Sequence, residues 1–203
     1  MQALIRYNLA MIPRSASGPY FTYADYRSWI GDERWELIDG EAFAMSPAPL
    51  RLHQQVVTRL CSQLDAALEN QPCQVYVAPF DVRLPRGAEA DDQVDTVVQP
   101  DLAVICDASK LDDAGCRGAP DFIVEVLSKS TSARDLVQKR ELYARHGVRE
   151  YWIVDAEARI LERCLLRVAG QPYPESEKSP ARGRTAIEVL HGLSIDWRRV
   201  FGD

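Results

Sequence analysis

The sequence predicts an α/β (α+β) chain, a mixed β-sheet flanked by helices, on three observations. Residues 100–106 (PDLAVIC) and 121–127 (DFIVEVL) are near-continuous apolar runs of strand length, as expected of strands covered on both faces. Val56, Leu60, Leu64 and Leu68 recur every four residues, the stripe of an amphipathic helix. A second helical stretch, residues 132–145, separates the apolar runs from a further strand at residues 150–154.

The elements follow in order. Thr22 opens a short N-terminal helix, and Asp25 three residues on makes a capping-box-like start. Tyr23, Tyr26 and Ile30 are expected to face inward, and Gly31 to stop it. Residues 35–38 and 41–45 flank Asp39-Gly40, the strongest two-residue hairpin signal. Residues 46–49 (SPAP) read as a loop. The long helix is predicted over 52–68, with Val57 and Ala67 widening its stripe. Strand-like segments at 74–78 and 80–84 and a polar loop at 86–94 lead to the two apolar runs, which a loop around 112–120 joins. The helix over 132–145 has Ser132 as its cap, Asp135 three residues on and Gly147 as terminator. Residues 150–154 and 159–168 pair across a short turn. Residues 170–183, rich in Pro, Ser and Glu, are expected to be a mobile loop, and 185–190 and 193–197 short edge strands. The length of 203 residues suits one domain, taken as residues 20–203 behind an N-terminal arm, residues 1–19, that is loose or packs on a partner.

Composition narrows the function classes. Hydrophobic residues at 46% and charged residues at 27% are ordinary globular values, enough for a core without staples. A net charge of −6 argues against a protein that lives on non-specific nucleic-acid binding. The charge is unevenly spread. Glu89, Asp91, Asp92, Asp95, Asp101, Asp107, Asp112 and Asp113 form an acidic run, whereas Lys129, Arg134, Lys139, Arg140, Arg145 and Arg149 form a basic one. A solvated face is the plain account of either run. The cysteines, Cys61, Cys73, Cys106, Cys116 and Cys164, are odd in number and show no CxxC pair, so reduced thiols in a cytoplasmic protein are expected. No apolar run approaches membrane-spanning length, and residues 1–12 do not read as a signal peptide.

Two acids stand out chemically. Glu125 lies inside an apolar strand, where alternation puts it with Ile123 and Leu127 on one face. An ionised carboxylate there is costly unless it is paired or ligates a metal. Asp101 opens a strand of the same kind after Pro100. Two such acids make a magnesium-type site, since magnesium takes oxygen ligands and keeps waters for its substrate. The plain alternatives are a strand-start turn residue for Asp101 and a buried pair with an arginine for Glu125. Lys139, three residues after Leu136 and four before Tyr143, sits at the edge of the inward helix stripe. It can point its ammonium at the acids, or snorkel to solvent. His53 at the start of the long helix reads as a capping or surface residue, and Glu36 as edge polarity. His146 and His191 carry no assignment. GxSxG, Walker, GxGxxG and HExxH motifs do not occur.

The order of short motifs is distinctive: WELIDGE at 35–41, His53 opening a helix, QPDLAV at 99–104, VEVLSKST at 124–131, RDLVQK at 134–139 with Tyr143, and GVREYWIVD at 147–155. This order resembles the Uma-two (Uma2) family of putative restriction endonucleases, within the PD-(D/E)XK nuclease superfamily, from Tyr20 to Val168, with residues 191–201 similar to the family's usual end. The resemblance implies a restriction-endonuclease-like mixed sheet. It maps the motif acids onto Asp101 and Glu125. The superfamily's lysine belongs two residues after the second acid, where this chain has Leu127. The family's lysine is displaced onto the following helix, which points to Lys139, with Lys129 as the rival.

The resulting expectation is a metal-dependent endonuclease that hydrolyses DNA phosphodiester bonds. Asp101, Glu125 and the carbonyl of Val126 would hold Mg2+ or Mn2+. Lys139 would position water and stabilise charge, with Glu36 and His53 peripheral. Arg134 and Arg140 would meet DNA phosphates, and a homodimer would place two sites on two strands. The alternative expectation is a nuclease-fold module with weak or no catalysis that binds nucleic acid or a partner protein.

Overall fold

The structure is a computed structural model that describes residues 19–45, 50–127 and 133–202, with the side chains of residues 133–135 outside that description. The N-terminal arm, the 46–49 loop, Lys129 and the Ser132 cap therefore lie outside the described residues. In chain order the elements are α1 (Tyr23–Ser28), β1 (Trp35–Ile38), β2 (Glu41–Ala44), α2 (Arg51–Leu68), β3 (Gln74–Val77), β4 (Val82–Arg83), β5 (Val97–Val98) and β6 (Leu102–Ile105). They continue with β7 (Leu111–Asp112), β8 (Gly115–Arg117), β9 (Phe122–Val126), α3 (Ala133–His146), β10 (Glu150–Asp155), β11 (Ile160–Leu165), β12 (Glu177–Pro180), β13 (Arg184–Ala186), β14 (Ser194–Asp196) and α4 (Trp197–Phe201).

The predicted mixed sheet becomes two. One six-stranded sheet runs β2-β1-β5-β4-β8-β7, the other β12-β11-β10-β9-β6-β3, and β13-β14 pair separately. Both large sheets are mixed: β4 and β8 are parallel in the first, β9 and β10 in the second, and the remaining pairs are antiparallel. The division was hidden in the sequence because β4, β5, β7 and β8 are only two or three residues long. Segments that short show no periodicity and find their partners through tertiary packing.

The second sheet separates two cores. On one face Leu102, Val104, Phe122, Val124, Trp152 and Val154 meet the α2 stripe of Val56, Leu60 and Leu64 together with Ile195, Trp197 and Val200. On the other face Ala103, Ile105, Ile123, Tyr151 and Ile153 meet Leu142, Tyr143 and Ala144 of α3 and Ile38, Val82 and Val98 of the first sheet. Side chains at these positions are almost wholly inaccessible, and each large one contributes about 2 kcal/mol by leaving water. Tyr23 of α1 packs with Leu37, Val94 and Val97 on the far side of the first sheet.

Local signals behave as their chemistry requires. Asp39 and Gly40 have φ of 52° and 80°, the pair of positive values that a tight hairpin turn needs. Gly147 has φ of 90°, and its amide closes α3 on the Tyr143 carbonyl at 3.1 Å. Ile30 corrects the expectation of an inward residue. α1 ends at Ser28 and Ile30 is 90% exposed. The expected mobile loop at 170–183 is anchored instead. β12 pairs with β11, and the buried Tyr173 donates to the Val148 carbonyl at 2.8 Å.

Cys73 and Cys106 correct the expectation of reduced thiols, since they form a disulfide. They sit one step beyond the Gln74↔Ile105 pair of β3 and β6, a register that a one-dimensional reading does not contain. Cys116 and Cys164 are buried free thiols, and burial pushes both up to about 11. Alkylation of the native, unreduced protein is therefore expected to spare both, to place any adduct on Cys61, and to recover Cys73 and Cys106 as one cross-linked peptide by mass spectrometry.

Glu150 is wholly buried at the start of β10. Its two oxygens accept from the Trp152 indole at 2.6 Å and from the Val189 amide at 3.0 Å, tying the carboxy-terminal segment to the central sheet. Glu150→Ala leaves both donors without a partner and is expected to lower the unfolding free energy by about 2–6 kcal/mol in urea titration, from roughly 1–3 kcal/mol for each of the two orphaned groups.

Candidate active site

The site assembles at one end of the second sheet. β6 and β9 pair antiparallel with Leu102 opposite Val124, so one further step sets Asp101 across from Glu125. Glu125 shares its face with Ile123, toward α3. On β1 the same alternation turns Glu36 and Ile38 toward α3 and Leu37 away. Glu36 is only 7% exposed, too little for the edge polarity expected of it.

Lys139 joins the two sheets. Its Nζ lies 2.9 Å from Glu125 Oε1 and 3.0 Å from Glu36 Oε1. Its long side chain reaches inward from α3 rather than snorkelling to solvent. Tyr143, one helical turn later and fully buried, donates its hydroxyl to the same Glu125 oxygen at 3.1 Å. The Gln99 amide donates to Glu36 Oε1 at 2.8 Å. Asp101 Oδ2 accepts from the Val126 amide at 2.8 Å and lies 3.1 Å from His53 Nε2. His53, expected to cap or face solvent, is 8% exposed and belongs to this cluster.

Charge is unbalanced here. Burial pushes the Glu125 carboxyl up; Lys139 opposes the shift, and Asp101 and Glu36 add to it. Burial works against the Lys139 charge, but Glu125 and Glu36 outweigh it and hold the ammonium above its ordinary value. Burial likewise opposes a charged His53, but the bond to Asp101 and its charge raise that imidazole. Burial raises the Tyr143 hydroxyl, and Glu125 adds to this, so it remains a donor. Three carboxylates thus share one ammonium and one imidazole.

The donor chemistry suits a hard cation. The hydrogen bonds fall on Asp101 Oδ2, Glu125 Oε1 and Glu36 Oε1, and the second oxygen of each carboxylate accepts none among the described residues. Surplus negative charge and uncommitted carboxylate oxygens fit magnesium or manganese. No group of three or more His, Cys, Asp or Glu side chains among the described residues converges as a ready ligand set. An ion here would rely on two carboxylates, a backbone carbonyl and water.

The remaining sequence candidates sit apart. Arg140 is committed to Glu162 at 3.4 Å, Ser176 Oγ at 3.3 Å and the Pro174 carbonyl at 2.9 Å. The Arg134 side chain and Lys129 lie outside the described residues. Sequence reasoning missed Tyr143 and Gln99 as partners of the cluster. Tyr143 carried a signal, its four-residue spacing from Lys139 on one helix face. Gln99 carried none, because it acts through its backbone amide.

The Uma2 family, described as putative restriction endonucleases, matches residues 23–198. The chain belongs to the Uma2 family. A solved structure is similar over nearly the whole length: the crystal structure of a putative nuclease belonging to DUF820 from Anabaena variabilis aligns with a TM-score of 0.68 and 15% identity. That alignment covers 90% of this chain and 98% of the other. At such identity the likeness concerns the fold. None of the curated proteins is a significant match to this Uma2 chain. Among the described residues no helix is long and apolar enough to cross a membrane.

Removing the Uma2 chain's lysine should be costly. Lys139→Ala leaves Glu125 and Glu36 facing each other in a largely enclosed site, and is expected to lower the unfolding free energy by about 3 kcal/mol in denaturant titration, as when one partner of a buried pair is deleted.

Proposed function

We propose that this chain is a metal-dependent endonuclease that hydrolyses phosphodiester bonds of DNA. The observation that carries the reading is the convergence of Asp101, Glu125 and the Lys139 ammonium from two strands and a helix, with Lys139 2.9 Å from Glu125. Family membership supports the reaction class. Residues 20–203 are taken as one nuclease-like domain.

Asp101 and Glu125, with the Val126 carbonyl, would hold magnesium or manganese, which when bound lowers the pKa of a water and screens phosphate charge. The protein's own groups supply the rest. The Val126 amide and His53 lock Asp101 through Oδ2 and leave Oδ1 for the ion. Tyr143 and Lys139 do the same for Glu125 through Oε1. Glu36 holds the Lys139 ammonium on the side of the carboxylates. From there Lys139 can orient the attacking water and stabilise the charge that grows on the phosphoryl oxygens. A homodimer in the cytoplasm, cutting both strands of a duplex, completes the proposal.

The test is cleavage of supercoiled DNA with magnesium, with manganese and with chelator. Asp101→Asn and Glu125→Gln keep the shape of the site and are expected to lower the rate about a hundredfold or more, in line with the loss of one preorganised charge-stabilising group. Folding is checked by circular dichroism. Nicking that persists at full rate in either folded variant, or in chelator, would sink the assignment.

A further inference from the structure

The basic residues of α3 were the expected DNA contacts, but described guanidiniums there are already paired. Arg140 is on Glu162, and Arg145 is on Asp39 at 2.6 Å. A different cation stands two residues before Glu36 in the chain. Arg34 immediately precedes β1, and its carbonyl accepts from the Met45 amide at 2.8 Å, so the hairpin pairing extends to it. Strand alternation sets Arg34 on the face of Glu36 and Ile38, about 7 Å from Glu36 along the chain. Ile38 on that face is buried, whereas Arg34 is exposed.

Arg34 is also held in place. Its Nε and Nη2 donate to Gln99 Oε1 at 3.0 and 2.6 Å. Gln99 is 8% exposed, and its Nε2 donates to Asp81 Oδ1 at 2.8 Å and to the Tyr26 hydroxyl at 3.0 Å. With the nitrogen fixed on a carboxylate, the amide oxygen must face Arg34. Gln99 therefore serves two cations' surroundings at once: its backbone amide fixes Glu36, the partner of Lys139, and its side chain fixes Arg34. The partner of Arg34 is a neutral amide, and among the described residues no carboxylate lies within ion-pair distance of it. Elsewhere on the surface Arg27, Arg86, Arg145 and Arg149 all have acidic partners. A planar, full positive charge held on one edge, with the other edge uncommitted, is suited to a phosphate oxygen.

We propose that Arg34 is a substrate-binding residue that takes a non-bridging phosphate oxygen of the DNA strand at the rim of the Glu36–Lys139–Glu125 cluster. The inference rests on the nuclease reading for the identity of its ligand. It names a cation that seats the strand.

The experiment is fluorescence anisotropy of a short labelled DNA duplex titrated with the full chain in chelator, over a series of salt concentrations. Arg34→Ala is expected to weaken binding about tenfold at low salt and to lower the slope of log K against log salt by about one phosphate contact. Arg34→Lys, which retains the charge, should keep the slope. Arg27→Ala, an exposed arginine already paired with Asp92, should change neither. Unchanged affinity and slope in folded Arg34→Ala, or no duplex binding by the wild type, overturns the proposal. Arg34-dependent binding without any cleavage under magnesium or manganese leaves Arg34 standing and removes the catalytic reading. Cleavage by the wild type with Arg34→Ala binding unaltered does the reverse.

Discussion

A single ammonium lies between carboxylates from two different sheets. Lys139 bonds Glu36 of β1 and Glu125 of β9, and it is carried by α3, which packs between those sheets. Without that charge the enclosed end of the interface would hold only repelling acids and a histidine. A buried ion pair is weak evidence of net stability, because desolvation offsets much of the attraction. Its effect here is geometric: an arrangement that separates β1, β9 and α3 leaves these buried charges without their partners. The apolar contacts of Ile38, Ile123 and Leu142 supply the driving force, and the charged cluster selects the alignment.

The same contacts divide the carboxylate oxygens. Each acid gives one oxygen to protein donors and keeps the other. Those donors come from unlike sources: a helix ammonium, a phenol, an imidazole and two backbone amides. Groups held this way lose little freedom when a ligand arrives, which is the condition for precise binding of a cation or a phosphate. Gln99 extends the principle outward, since one residue braces Glu36 through its backbone and Arg34 through its amide.

Much of this was legible one residue at a time. Asp101 and Glu125 were visible as acids in apolar strands, Lys139 as a cation at the edge of an inward stripe, and Asp39-Gly40 as a turn. Their partners were less visible. The family resemblance put His53 and Glu36 at the periphery of the site, but their residues alone read as surface polarity, because a lone polar residue on a helix or strand looks the same whether it faces water or an acid across the core. The β7–β8 hairpin was read as loop, since strands of two or three residues leave no periodic trace. Tyr173 and β12 order a stretch whose composition alone suggested mobility, because one buried aromatic and a shared edge can offset local polarity.

What the sequence by itself determined is therefore local and periodic: the helix stripes of α2 and α3, the apolar β9 and β10, the positive-φ turns, and a motif order specific enough to identify the family. These follow from the chain's own neighbours within a few residues. Only the tertiary structure decided register and pairing. It split the strands between two sheets, brought Cys73 to Cys106, faced Asp101 to Glu125, and left Arg34 with an amide rather than an acid. The physical reason is that a side chain's charge and reactivity depend on groups within a few ångströms, and in this fold those groups lie tens of residues away along the chain.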